Sequence, residues 1–485
     1  MTAMCRDVWR YGLWAVMCFA VIGVVFGFDL NPFSRVLRID SSVFLYMGRR
    51  MQEGLVPYRD VFDHKGPILY FINYIGLQLG GTIGVWLIEV LGFGLSTGYL
   101  FKWLTSRFGD TVACLTVSSS CVLFLNFFTG GNMTETYAYY FLLPCTCWVC
   151  EYAECGKLSW GRWFFVGLSV GVILCLRPNM VSIGLVFAVL VMVQIVRARS
   201  LAPLSDAALP GLVGLCLAVV PCLIYLMAHD AMSAMWRAYI LFNVKYASHG
   251  GIILDRPLDL YFFLGVVTLN GVELLLLKDK KSRAGLMANL VFLTLSLVVV
   301  VSKMRYYHYY VVVLPACLLP VAALLWKVAG CRFSRIIFAA LLSWVVLKTV
   351  YMLFATFIDC NHIKDRIATY GVGYALKLHR KEAAANVPRE VVEVIKNKSS
   401  VQIIGNSCQD YVHYGLSTPW KYPYLTGMSV DEGIRSEVLQ SIQLKRAECI
   451  IIPESYTDEE LKRELFDAYE LSHRAKGFDL YRVRK

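Results

Sequence analysis

The chain has 485 residues, 57% of them hydrophobic and only 17% charged, with a formal net charge of +12. A mean hydropathy of +0.56 excludes a soluble enzyme of this length and marks a polytopic membrane protein. The positive balance does not call for a nucleic-acid partner, because much of the Lys and Arg falls in short connectors between apolar runs, where it orients a protein in the bilayer.

Apolar runs of about 18 to 22 residues, each able to cross a hydrocarbon core of about 30 Å, predict about eleven spans. They lie near residues 11–29, 82–104, 111–128, 134–152, 162–178, 180–197, 208–228, 258–278, 284–302, 307–327 and 335–357. The first run lacks a small-residue cleavage site and leads straight into Asp40, so it reads as a retained span. Segment 66–79 is apolar but short, and reads as re-entrant or interfacial. Arg6 and Arg10 precede the first span. Lys102 with Arg107, Lys157 with Arg162, Arg197 with Arg199, Lys278 to Arg283 and Lys327 to Arg335 occupy alternate connectors. This pattern predicts a plasma (inner) membrane protein with a cytoplasmic amino terminus; an odd span count then leaves everything after Phe357 outside.

Between the first two spans, in the external loop 31–79, lies the most unusual stretch, Arg38 to Asn73. Asp40, Tyr58, Asp60, Asp63, His64 and Lys65 sit there among apolar groups such as Val43, Phe44, Leu45, Ile68 and Leu69. Such patterning fits amphipathic helices at a membrane surface rather than a solvated loop, and predicts the floor of an active site. Other external connectors carry polar groups to the same face: Gly130 to Glu135 (GGNMTE), Leu176 to Asn179 (LRPN), Trp236 to Arg256, and Ser302 to Tyr310 (SKMRYYHYY). Within the spans Glu89 and Lys348 stand out, since a mid-bilayer charge costs roughly 2.5–3.5 kcal/mol; an interhelical partner is the expected explanation.

After Phe357 the apolar runs stop. The expected domains are a transmembrane catalytic domain over 1–357 and an extracytoplasmic α/β domain over 358–485. In the latter, helices are predicted at Arg389 to Lys396, Gln409 to Tyr414, Val430 to Lys445 and Asp458 to Tyr469. Strands are predicted at Val401 to Gly405, Cys449 to Ile452 and Phe478 to Val483, and the order suggests a parallel sheet. The aromatic run Asp410 to Leu425 reads as packing where the domain meets a membrane surface, with sugar stacking as the alternative. The 16 cysteines fall mostly inside spans as small apolar packing residues, without a zinc-ligand pattern or disulfide framework. Asn132-Met133-Thr134 fits a glycosylation sequon. Nucleotide, dinucleotide and zinc-protease motifs are missing from the sequence.

An external site without a nucleotide motif must draw its activated substrate from the lipid phase, and a polyprenyl-phosphate sugar answers that requirement. Transfer needs a carboxylate to take the acceptor proton, which Asp40 supplies. It also needs fixed positive groups to meet the departing phosphate, which Lys65, Arg305 and His308 supply. A monophosphate leaving group makes no cofactor obligatory; a divalent cation, if used, would fall to Asp60 and Asp63.

Asp40, then Pro57-Tyr58-Arg59-Asp60, then His64-Lys65-Gly66-Pro67 after a first span resembles the GT-C membrane glycosyltransferases. These include the protein O-mannosyltransferases and the bacterial aminoarabinose transferases of lipid A. The resemblance implies a GT-C-like helical membrane fold with Asp40 as catalytic base and Lys65 on the lipid phosphate. It also matches Arg305 to Tyr310 to a late external motif, and implies a carboxy-terminal external domain. Asp40-Ser41 replaces the family's Asp-Glu pair, and Gly66-Pro67 follows Lys65 where the family often has two prolines. The implied activity is inverting hexosyl or pentosyl transfer from a polyprenyl-phosphate donor to an envelope glycan, lipid or protein.

Structural roles compete at each position. Asp40 alone would read as a helix cap, Asp60 as a turn residue, and His64 and Lys65 as interfacial anchors. Arg305 and His308 would serve as a snorkelling and belt pair, Arg177 as a snorkelling residue, Glu135 as a local cap or ion-pair partner, and Asn132 as a helix-start residue. Asp63, His64, Tyr58, Asn132, Glu135 and Arg177 complete the candidate substrate-binding set. A transporter or flippase of lipid-linked sugars is the rival class, but it would show repeated halves and broken midplane helices.

Overall fold

The computed structural model describes residues 3–32, 37–248, 257–301, 306–331, 333–357, 386–395 and 400–484. The chain divides into two compact units: Met1–Ser34, Trp86–Cys222 and Gly250–Asp359 form the first, and Arg35–Val85, Leu223–His249 and Cys360–Lys485 the second.

Chain order begins with α1 (Ala3–Gly27), α2 (Ile39–Gln52), α3 (Pro67–Gly80), α4 (Thr82–Phe108), α5 (Asp110–Phe127), α6 (Thr134–Cys155), α7 (Trp160–Leu174), α8 (Ser182–Ala198) and α9 (Ala202–Ala228). Short α10 (Met232–Met235) leads through a π-turn segment (Trp236–Leu241) to α11 (Phe242–Ser248). Then come α12 (Pro257–Leu276), α13 (Lys280–Val301), a 3-10 segment (Tyr307–Val312), α14 (Leu314–Ala329) and α15 (Ser334–Phe357). Every expected span coincides with one of these helices. Seven of them (α1, α4, α5, α9, α12, α13 and α15) are long and apolar enough to cross a membrane. Helices α7, α8 and α14 are apolar but have only 15, 17 and 16 residues. Helix α6 has 22 residues but includes Glu135, Glu151 and Glu154 and an internal Pro144. Length and hydropathy thus single out seven of the eleven expected spans, and the other four lie on helices that are shorter or less apolar.

In the first unit, α1 lies against α5 and α15, α13 against α6 and α8, and α14 against α5, α6, α12 and α13. Small residues permit the closest approaches. A Cβ on Gly167 of α7 would sit 1.8 Å from the Gly211 carbonyl oxygen of α9, and one on Gly214 would sit 2.0 Å from that of Phe164. Backbone-to-backbone packing of this kind holds helices together where lipid removes the hydrophobic drive between them. An aromatic knot of Phe28, Phe93, Phe124, Phe128 and Tyr140, with ring centroids 5.2–6.3 Å apart, fills the core.

In the second unit α2 and α3 cross so closely that a Cβ on Gly48 would lie 2.8 Å from the Asn73 side chain. Pro67 opens α3 behind Gly66, a position where its missing N–H costs nothing. The carboxy-terminal part contributes α16 (Arg389–Val394), β1 (Val401–Ile403), α17 (Gln409–Tyr414), α18 (Glu432–Gln443), β2 (Cys449–Pro453), α19 (Glu459–Ala468), β3 (Tyr469–Ala475) and β4 (Phe478–Val483). The sheet order is β1-β2-β4-β3. Only β1 and β2 are parallel; β4 runs antiparallel to β2 and β3. The expected parallel sheet is thus mixed, because Lys476 (φ 48°) and Gly477 (φ 83°) make a two-residue hairpin with both residues left-handed. That hairpin returns β3, a strand absent from the sequence-based assignment.

The aromatic run is packing, but its partner is α2. The Tyr46 and Tyr411 rings pack with centroids 5.1 Å apart, and the Tyr46 hydroxyl accepts from the Thr418 N–H at 3.0 Å. Ser42 Oγ accepts from the Cys408 N–H at 3.1 Å, and Arg49 donates to the Gly415 carbonyl at 2.8 Å. The Phe62 N–H donates to the Lys421 carbonyl at 2.7 Å.

Candidate active site

The loop from Val56 to Gly66 is tied to itself before it presents any side chain. Tyr58 adopts a left-handed φ of 67°, rare for an aromatic residue. Its N–H donates to the Val61 carbonyl at 2.8 Å, and its buried hydroxyl donates to the Lys65 carbonyl at 2.7 Å. Asp60 accepts from the Val56 N–H at 2.8 Å and from two guanidinium nitrogens of Arg59 at 2.9 Å each. The Arg59 bonds hold its carboxyl below the usual range. Asp60 therefore fastens the turn, and Tyr58 supports the loop from beneath.

Asp63 is buried, accepting from the Tyr70 hydroxyl at 2.9 Å and the Tyr424 hydroxyl at 2.5 Å. Burial pushes its carboxyl up, yet His64 and Lys65 beside it and the Tyr424 bond outweigh this and hold it below the ordinary range. His64 Nδ1 faces Asp63 Oδ1 at 3.4 Å, while Nε2 lies 2.7 Å from Lys65 Nζ. The His64 carbonyl accepts from Asn243 Nδ2 at 2.7 Å, and its ring packs 5.2 Å from Phe242 and 5.7 Å from Tyr246. The Lys65 N–H donates to the Tyr70 hydroxyl at 3.0 Å. Lys65 is thus held at both its backbone and its amine, which a freely solvated anchor would not be.

Asp40 is the second residue of α2, whose N-cap is Arg38. Its competing role as a cap is therefore not the one it takes; it sits exposed in the first turn, where the helix dipole favours a carboxylate. Burial, then Asp63, Cys408 and Asp40 in turn raise the Tyr424 phenol. Asp40 and Asp63 both lie in the second unit, and both carboxylates work in the same direction on the Tyr424 phenol.

The remaining candidates lie in the first unit. Glu135, buried in the first turn of α6, accepts from Arg177 at 2.5 Å and from Thr134 Oγ1 at 2.8 Å. The Arg177 guanidinium lies 4.1 Å from the Tyr309 ring centroid. Burial works against its charge, but Tyr309 and Glu135 prevail and raise its pKa. Arg177 is an ion-pair and cation–π residue, and snorkelling does not describe it. His308 packs its ring 4.7 Å from Tyr309 and 5.5 Å from Tyr306. Arg305 lies outside the described residues. Asn132 is fully buried, accepts from the Tyr137 hydroxyl at 3.1 Å, and donates its N–H to Glu89. That bond supplies the partner expected for Glu89. The sequon asparagine is thus enclosed in the folded protein.

The Asp60 and Asp63 oxygens accept from Arg59, Val56, Tyr70 and Tyr424. Among the described residues no group of three or more His, Cys, Asp or Glu is placed to hold a metal. The partners of Asp63 and Arg177 escape sequence reasoning: Tyr424 lies 361 residues away, and Glu135 lies 42 away.

ArnT from Cupriavidus metallidurans bound to undecaprenyl phosphate superposes with a TM-score of 0.59 at 14% identity, over 96% of this chain and 97% of that one. Its apo state gives 0.56 at 14% identity over the same shares. AglB, the archaeal oligosaccharyltransferase from Archaeoglobus fulgidus, gives 0.48 at 13% identity over 93% and 70%. No curated protein sequence matches the chain. The similarity to ArnT establishes a GT-C membrane fold with a small carboxy-terminal α/β part. Residues 10–355 match the model of the competence-induced protein Ccs4 N-terminal domain, and the chain belongs to that family.

Proposed function

We propose that this protein is an integral membrane glycosyltransferase that moves a sugar from a polyprenyl-phosphate donor to an envelope glycan, lipid or protein acceptor on the external face. The observation that carries the reading is one exposed carboxylate, Asp40, in the first turn of α2 and one tethered amine, Lys65, in the same unit. The ArnT fold, seen with undecaprenyl phosphate bound to that protein, supports a lipid-phosphate donor.

In this mechanism Asp40 removes the acceptor hydroxyl proton as the oxygen bonds to the anomeric carbon. The bond from that carbon to the phosphate oxygen breaks on the opposite face, so the centre inverts. The electron pair leaves with the polyprenyl phosphate, whose developing charge meets the Lys65 ammonium. His308 and Arg305 are further donor-phosphate candidates in this reading, and residues 358–485 form the extracytoplasmic domain. Purified protein incubated with a radiolabelled polyprenyl-phosphate sugar should release or transfer label. Lys65→Ala should lower that rate by about tenfold to a thousandfold. An inactive wild-type protein with a range of such donors, or an unaffected Lys65→Ala variant, would count against the assignment.

A further inference from the structure

Lys65 carries three N–H donors on a flexible four-carbon stem. One of them points to His64 Nε2 at 2.7 Å. A protonated lysine donating there requires Nε2 to be the acceptor nitrogen, so the ring proton sits on Nδ1, facing Asp63 Oδ1 at 3.4 Å. Asp63 is in turn fixed by Tyr70 at 2.9 Å and Tyr424 at 2.5 Å. The His64 ring is steadied by Phe242 and its carbonyl by Asn243. Among the described residues no second acceptor bonds the Lys65 amine, which leaves two N–H donors for a ligand.

We propose that Asp63 and His64 are positioning residues, a buried carboxylate–imidazole brace that fixes the Lys65 ammonium where it meets the donor phosphate. The arrangement parallels a carboxylate orienting a metal-bound histidine, with an ammonium in place of the metal. A long stem held in advance does not lose its rotamer freedom at each binding event, so affinity for phosphate rises without any new contact to it. This inference rests on the assignment of Lys65 to the lipid phosphate.

The test compares binding of undecaprenyl phosphate and undecaprenol to the full chain in nanodiscs, with thermal unfolding measured on each variant. The ratio of the two affinities isolates the phosphate contact, which a general loss of structure would not change selectively. His64→Leu and Asp63→Asn should each lower that ratio about tenfold, the scale of a hydrogen bond to a charged group, while leaving undecaprenol binding unchanged. His64→Gln, whose carbonyl can accept from Lys65, should restore most of it. Should His64→Leu fail to fold, His64→Gln against Asp63→Asn decides. A ratio unchanged in these variants but lost in Lys65→Ala overturns the brace and leaves the phosphate site standing. A ratio unchanged in Lys65→Ala removes the phosphate assignment, and the brace with it.

Discussion

Replacing Asp40 with Asn exchanges one carboxylate oxygen for an amide nitrogen in the first turn of α2. The side chain is exposed and Arg38 is the N-cap, so folding loses at most a favourable dipole interaction. That loss is roughly 0.3–1 kcal/mol. A base that can no longer accept a proton slows transfer by roughly a hundredfold to ten-thousandfold, which corresponds to about 2.7–5.5 kcal/mol at about 1.4 kcal/mol per decade. Structural and catalytic roles therefore differ severalfold in size and appear in different observables. The assay follows label transferred from a polyprenyl-phosphate sugar, with thermal unfolding and undecaprenyl phosphate binding measured on the same preparation. Binding and unfolding should be nearly unchanged while transfer collapses. An Asn variant that keeps more than about a tenth of the wild-type rate would refute proton removal by Asp40. If Asp63→Asn were the inactive variant instead, the base would lie one motif later in the loop.

Three further outcomes are expected. Arg177→Ala strips the buried Glu135 of its cation and should cost about 3–5 kcal/mol in unfolding, much of it recovered by adding Glu135→Gln; a small loss in the single variant would mean the pair is dispensable. Asp63 is held below the ordinary carboxyl range, so its stabilising contribution is complete above the unfolded value of about 3.9 and is lost as pH falls through the lower folded value. Acid unfolding below about pH 4 should thus be steeper in wild type than in Asp63→Asn, and equal slopes would argue against an ionised Asp63. A reporter fused after Lys485 should be active only in the external compartment and one after Arg199 only in the cytoplasm; a cytoplasmic carboxy terminus would place the site on the wrong face.

Much of the helical architecture is legible because a bilayer demands continuous apolar runs, and every expected span has its helix. The limits of that logic show in α7, α8 and α14, which are apolar but only 15, 17 and 16 residues long, shorter than the runs that predict them. Asp40 and Lys65 could be named as candidates because they are ionisable residues set beside apolar faces and match the GT-C pattern. What surrounds them could not. No local pattern says that Tyr424 closes on Asp63, that Arg177 chooses Glu135 or that Asn132 turns inward to Glu89; these pairings are decided by tertiary packing. The hairpin of β3 and β4 was lost for another reason. Its turn is Lys-Gly rather than Asn-Gly, and β3 begins at Tyr469 directly after α19, with no turn residue to mark the change.

The bond from Tyr424 to Asp63 also sets an order of manufacture. Asp63 leaves the ribosome 361 residues before its second hydroxyl donor. At about 5–20 residues per second, roughly 20–70 s pass before the two can meet. During that interval the growing chain can insert its helices, but the loop from Val56 to Gly66 holds a carboxylate with only one of its two tyrosine donors. A chain cut short after α15 would keep every membrane helix and lack the residue that completes the loop. The Asp63 carboxylate thus gains its second tyrosine donor only after Tyr424 has been synthesised and folded back onto the loop.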